Sequence, residues 1–127
     1  MDTRAKIVTP ELVAAAARAC RAAGRPVTLI SGFFDPLLAA HARRLAEIAP
    51  RDGALFVALQ DPPIPVLPAQ ARAELVAALG MVECVVLPGP LPASLAESIQ
   101  AQTVFSEEAA DRHRTQEFIQ RVHDRQK

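Results

Sequence analysis

The sequence predicts an α/β domain of three layers, with a doubly wound, mostly parallel sheet of about five strands between two layers of helices. Three observations point there. Several short runs are apolar at every position, as strands buried on both faces are, rather than at alternate positions. The stretches between them carry apolar residues at helical spacing. The chain of 127 residues, half of it apolar, suffices for one core and is short for two domains. Right-handed crossovers between parallel strands then leave only doubly wound topologies.

Taken in order, Thr9-Pro10-Glu11 reads as a helix start. The threonine is placed to cap, proline suits the first turn, and the acid meets the positive end of the helix dipole. Leu12, Ala16, Ala19 and Ala23 recur at helical spacing as the expected buried stripe, and Gly24 fits the stop. Residues 27–30 form a short β-branched run, the first expected strand, followed by the loop Ser31-Gly32-Phe33-Phe34-Asp35-Pro36. Leu38, Ala42, Leu45 and Ile48 mark a second helix that ends before Pro50. Asp52-Gly53 turns the chain into a second buried strand over 54–59. Residues 61–68 hold four prolines, which lack N–H donors, so this stretch is expected to be an ordered extended loop. Ala71, Leu75, Ala78 and Leu79 form a third helical stripe ending near Gly80. A strand over 84–87, a proline-broken turn, a short helix over 93–99 and a strand over 103–105 follow. A charged helix closes the chain, with Phe118, Ile119 and Val122 expected to face inward. The whole is a single Rossmann-like domain over 1–127, and its ligand site is expected beyond the carboxyl end of the first long strand, between Gly32 and His41.

Composition narrows the function. Fourteen basic and fourteen acidic residues cancel, which removes a global electrostatic case for nucleic acid or an anionic membrane. There is no Trp or Tyr to build a base-stacking platform. The apolar runs are too short to span a bilayer, and no leader pattern opens the sequence. Cys20 and Cys84 stand far apart without metal-binding spacing and read as two buried thiols, so a cytoplasmic location and no protein-bound metal are expected. Twelve of the fourteen bases are arginine, and the middle of the chain, 53–105, has only Arg72. An anion held there must rely on Arg72, histidine, backbone N–H groups or arginines brought in from elsewhere.

The run Gly32-Phe33-Phe34-Asp35-Pro36-Leu37-Leu38-Ala39-Ala40-His41 resembles the G-x-F-D-x-x-H-x-G-H signature of the cytidylyltransferase-like nucleotidylyltransferases. Residues 6–9 look like the lead-in of heptose-phosphate adenylyltransferase domains. Arg43-Arg44-Leu45, Pro65-Val66-Leu67-Pro68, Arg72 with Ala77-Ala78-Leu79, and 82–86 follow the family's later order, while the last third matches loosely. The resemblance implies a nucleotide site formed by Gly32, Phe33, Phe34, Asp35, Ala40, His41, Arg72, Arg114 and Thr115, with His41 stabilising the transferring phosphate. It implies Mg²⁺ with CTP or ATP as cofactor if the chain is active. In that family two histidines meet the phosphates at a helix N-terminus, and the glycine between them admits the nucleotide to the backbone.

Here the sequence departs from the pattern. Leu38 stands for the first histidine and Ala40 for the glycine; the loop after the second strand has no lysine. Losing one such donor typically costs about 10²–10³ in rate. The family's closing I-S-[ST]-T turn has its best match at His113-Arg114-Thr115-Gln116, where only Thr115 keeps a hydroxyl. Arg112, His113 and Arg114 read either as an arginine-rich phosphate clamp or as the solvated face of one unbroken helix from about Ser106. His41 alone is equally readable as a helix-start residue, Asp35 as a turn residue before Pro36, and Arg72 as a surface salt-bridge partner. Glu107 and Glu108 read as helix-start charges and His123 as a solvated residue.

Two functions stay open. One is a degenerate member, a pseudoenzyme kept as a nucleotide- or ligand-binding or interaction module and self-associating as a homodimer. The other is an active Mg²⁺-dependent transferase placing CMP or AMP on a phosphorylated small molecule such as a sugar phosphate. Neither involves nucleic acid or a membrane.

Overall fold

The structure, a computed structural model, describes residues 2–89 and 92–125. Five parallel strands, β1 (Ile7–Val8), β2 (Val27–Gly32), β3 (Ala54–Leu59), β4 (Val82–Val86) and β5 (Thr103–Ser106), form one sheet in the order β1-β4-β3-β2-β5. Helices α1 (Pro10–Ala22), α2 (Ala39–Ile48), α3 (Ala69–Ala77) and α4 (Pro92–Ile99) are the crossovers, and α5 (Glu108–Arg125) follows the last strand. A short 3₁₀ turn over Thr3–Lys6 leads into β1. Of the proline-broken turn after β4, residues 90 and 91 lie outside the described residues. Among the described residues no helix is long and apolar enough to cross a membrane.

The period of two along the strands builds two cores. Val27, Leu29, Phe56, Ala58, Cys84 and Val86 face one way, onto Val13, Ala17 and Cys20 of α1 and Leu95 and Ile99 of α4. Ile30, Leu55, Val57, Leu59 and Val85 face the other, onto Leu45 of α2 and Ala73, Val76 and Ala77 of α3. Residues of β2 and β3 are buried throughout, which is why they read as continuous apolar runs. The expected sheet is thus present, with β1 as its edge, β2 carried on to Gly32, and β4 set two residues earlier at its start than its sequence suggested.

Several helix faces differ from the expected ones. In α1 the buried stripe is Val13, Ala17 and Cys20, while Leu12 is 60% exposed. In α3 it is Arg72, Ala73, Val76 and Ala77, and Leu75 points outward. In α5 Ile119 and Val122 are exposed and Asp111 is buried. The physical reason is shared by the first two. Alanine supplies both faces, so a single large residue fixes the stripe poorly, and backbone placement decides between adjacent positions. Thr9 does precede α1, but by its carbonyl, which accepts from the amides of Leu12 and Val13; its hydroxyl makes no cap bond. Gly24 ends that helix with φ +77°.

Candidate functional site

The chain runs outward from β2 through β3 to β4, then returns to place β5 on the other side of β2. The carboxyl ends of β2 and β5 therefore form the switch point, where open α/β sheets hold ligands. Gln60 and Glu107 knit this end together, donating their amides to the carbonyls of Gly32 and Ser31 at 2.9 and 2.8 Å.

What lies at the switch point is a carboxylate of the protein itself. Asp111, in the first turn of α5, is fully buried. Its Oδ2 accepts the Phe33 amide at 2.8 Å and, more weakly, the Phe34 amide at 3.4 Å. Two successive amides aimed at one oxygen form an anion-binding concavity. Phe34 holds this shape with φ +47°, a left-handed conformation that a bulky residue adopts only under constraint from its surroundings. On Oδ1, Arg114 donates at 2.9 Å and His41 Nε2 stands at 3.0 Å. The His41 Nδ1 accepts the Leu38 amide at 2.9 Å, so the ring proton sits on Nε2. That N–H is aimed off the line to Asp111, leaving a close electrostatic contact rather than a directed hydrogen bond. The ring also lies 5.4 Å from that of Phe34, tilted by 53°.

Gly32 belongs to the same arrangement. A Cβ there would collide with the Asp111 carboxylate and come within 2.8 Å of the Phe34 ring. The absent side chain thus lets a carboxylate of α5 approach the strand, which is a use of glycine that needs no nucleotide.

Asp35 does a different job. It is buried, and its two oxygens accept the amides of Val66 and Leu67 at 2.6 and 2.8 Å, while its carbonyl accepts the Thr115 hydroxyl at 2.7 Å. It ties the proline loop and α5 to the β2 loop, so it is more than a turn residue before Pro36. Arg72 braces the same loop from below. Its guanidinium is fully buried, donates to the carbonyls of Leu67, Phe33 and Gln60 at 2.9–3.0 Å, and pairs with Asp61. The salt bridge expected of Arg72 with a nearby acid is present, to Asp61, but the guanidinium that makes it is buried rather than at the surface, and one so occupied is not available to a phosphate.

The closing segment is the unbroken helix of the two alternatives, running Glu108–Arg125. Its three candidate cations diverge. Arg112 points to one side of the helix, into a cavity with the proline loop, while Arg114 turns inward onto Asp111. His113 is 71% exposed and stands 3.0 Å from Glu117. Glu107, at the helix start, is buried and receives Arg44 at 2.6 Å. His123 is exposed.

Of the cavities along α5, two also involve residues of the β2 loop or of α2. One, of about 360 Å³, lies between the proline loop and the helix. The other, of about 320 Å³, opens at the start of α2, walled by Leu38, Ala39 and Ala40 and by the cations Arg43, Arg114 and Arg121, with Glu117 as its only acid. The first amides of a helix lack intrahelical acceptors, which adds donors on that wall. Among the described residues Arg43 and Arg121 have no ion-pair partner. Of the expected site, the structure brings Ala40 and Arg114 to this cavity, Phe33, Asp35 and Thr115 to the other, and Gly32, Phe34 and His41 to the Asp111 seat between them.

The donors suit phosphate oxygens better than Mg²⁺. Asp35 and Asp111 spend their carboxylates on amides, His41 and Arg114, and the described residues contain no cluster of three metal-ligating side chains.

Sequence reasoning missed Asp111, Arg43 and Arg121. A signal for Asp111 existed: it stands seven residues before Phe118, on the face that α5 turns inward. In comparison with known proteins, no family model and no curated protein matches this sequence.

Proposed function

We propose that this chain is a nucleotidylyltransferase-like domain that binds a phosphate-bearing small molecule, a nucleotide included, but does not transfer a nucleotidyl group. The observation that carries the reading is the Asp111 carboxylate on the Phe33 amide, His41 and Arg114. In a transferase of the resembled family, His41 would stabilise charge developing on the transferring phosphate. Here His41 already lies against a buried anion, 3.0 Å from Asp111, and a second anion beside it would be repelled in a medium of low dielectric constant. Leu38 adds no donor where the family's other histidine would stand. Binding, as distinct from transfer, is supported by Arg43 and Arg121 at the start of α2, an arrangement that favours anions through both charge and open amides.

Titration calorimetry with Mg-CTP and Mg-ATP, run beside a pyrophosphate-release assay over a panel of sugar phosphates, tests both halves. Saturable binding is expected, weakened about tenfold in the Arg43→Ala/Arg121→Ala double variant, as loss of charge-assisted contacts worth about 1.4 kcal/mol would give. No pyrophosphate release is expected. Release that disappears in His41→Ala would overturn the non-transferring reading. Absence of heat from either nucleotide at about 10 mM would overturn the nucleotide reading.

A further inference from the structure

We infer that the cavity between the proline loop and α5 is a second ligand site, one that takes a small apolar molecule bearing a single carboxylate. The inference goes beyond the phosphate reading, because this cavity lies on the opposite side of α5 from Arg43 and Arg121.

Its walls are built in advance. The loop over 61–68 has few amides to form secondary structure, yet Asp35 fixes the amides of Val66 and Leu67, and buried Arg72 fixes the carbonyls of Gln60 and Leu67. A loop held at both ends by buried charged groups keeps the cavity open without a ligand, as most small-molecule sites are. At about 360 Å³ it falls within the range of such sites. Phe33, Pro62, Pro63, Ile64, Val66 and Ile119 supply apolar walls, and Ile64 and Ile119 are 88% and 51% exposed, so burying them under a ligand is favourable.

The polar content selects the ligand's charge. The Asp35 carboxylate is used by two amides, and the Thr115 hydroxyl is used by the Asp35 carbonyl. What remains is the Arg112 guanidinium, which has no ion-pair or hydrogen-bond partner among the described residues, and the neutral Gln116 amide. A guanidinium matches a carboxylate through two parallel hydrogen bonds. Asp35 lines the same cavity, but its carboxylate is buried in the loop with both oxygens facing amides, so the exposed Arg112 is the charge a ligand meets, and a cation beside apolar walls favours a monoanion with a hydrocarbon or aryl body. A phosphate dianion or triphosphate finds its cations only on the other side of the helix.

The test is an amide-detected NMR titration of the full chain with sodium hexanoate, 1-hexanol and hexylammonium, three probes of one body and different charge. Hexanoate is expected to shift the amides of Ile64, Val66, Arg112 and Gln116 saturably, and to bind about fivefold more tightly than hexanol, with hexylammonium weakest. Arg112→Gln, at an exposed position, should erase the preference for hexanoate and leave hexanol binding unchanged. Ile119→Asp, also exposed, should weaken both at least tenfold. Three outcomes overturn the inference: no saturable shift by about 50 mM, a hexanoate preference that survives Arg112→Gln, or shifts confined to residues 38–43. The nucleotide titration reads the other cavity, so either proposal can fail while the other stands.

Discussion

Replacing Asp111 by alanine removes the anion around which the switch point is assembled, and the structure allows the cost to be worked out. The Phe33 amide and the Arg114 guanidinium lose their partner, and His41 Nε2 its close electrostatic contact, in one step, at a site the Asp111 side chain shares with no solvent. Breaking a buried charge pair by removing one member costs about 3–5 kcal/mol. Arg114 lowers that toward about 3 kcal/mol, because it is partly exposed and lies 3.8 Å from Glu107, an alternative partner. Urea denaturation of wild type and Asp111→Ala should therefore differ by about 3 kcal/mol, or roughly 12 °C in Tm for a domain of this size. The space vacated is that of a carboxylate, so formate should refill it. At a concentration ten times its Kd, formate would restore about 1.4 kcal/mol to the variant and nothing to wild type. A variant within about 0.5 kcal/mol of wild type would refute the seat as a source of stability. Formate that stabilises both proteins equally would refute it as an anion site.

Two further expectations concern the framework. Asp35→Ala should cost about 2–3 kcal/mol, since two amides lose their acceptor, and hydrogen exchange at Val66 and Leu67 should accelerate while β3 stays protected. Burial pushes the Cys84 thiol up to about 11 from its ordinary 9.0. The native state thus keeps its proton where the unfolded state has lost it: stability is level below pH 9, falls by up to about 3 kcal/mol as pH rises through 11, and falls less in Cys84→Ala. Unfolding free energies measured from pH 8 to 11 check this, and equal slopes in the two proteins would count against it.

The sheet was legible because its central strands β2 and β3 are buried on both faces, and an unbroken run such as 54–59 has no other economical explanation. The place of the candidate site follows from topology once β2 is identified. Its chemistry does not. Arg72 reads as a surface cation, since arginine seldom lies in a core, and only the three carbonyls that converge on it show why it is there. Asp111 was hidden in the same way, as one of five acids in a segment whose charges balance. Sequence periodicity registers apolar side chains, whereas these two buried charges are fixed by partners 39 and 78 residues away. The α5 stripe misled for a further reason. Ile119 and Val122 belong to the helix's later turns, beyond the buried contact made by its first.

The geometry of α5 explains how one helix serves three environments. Asp111 and Phe118 recur at the spacing of one inward face; Arg112, Thr115 and Ile119 line the apolar cavity on one flank, and Arg114, Glu117 and Arg121 the cationic cavity on the other. Asp111 is the anchor common to both, for its bonds to Phe33 and Arg114 fix the helix against the β2 loop. Restoring a histidine at Leu38 and a glycine at Ala40 would add a donor and some room, yet His41 would still face a buried carboxylate rather than a phosphate. The substitutions at 38 and 40 and the presence of Asp111 are therefore not independent departures. Once an internal anion holds His41 and the Phe33 amide, a second histidine has no developing charge to stabilise. The first turn of α2 is then free to carry leucine and alanine, while Arg43 and Arg121 line the cavity at its start.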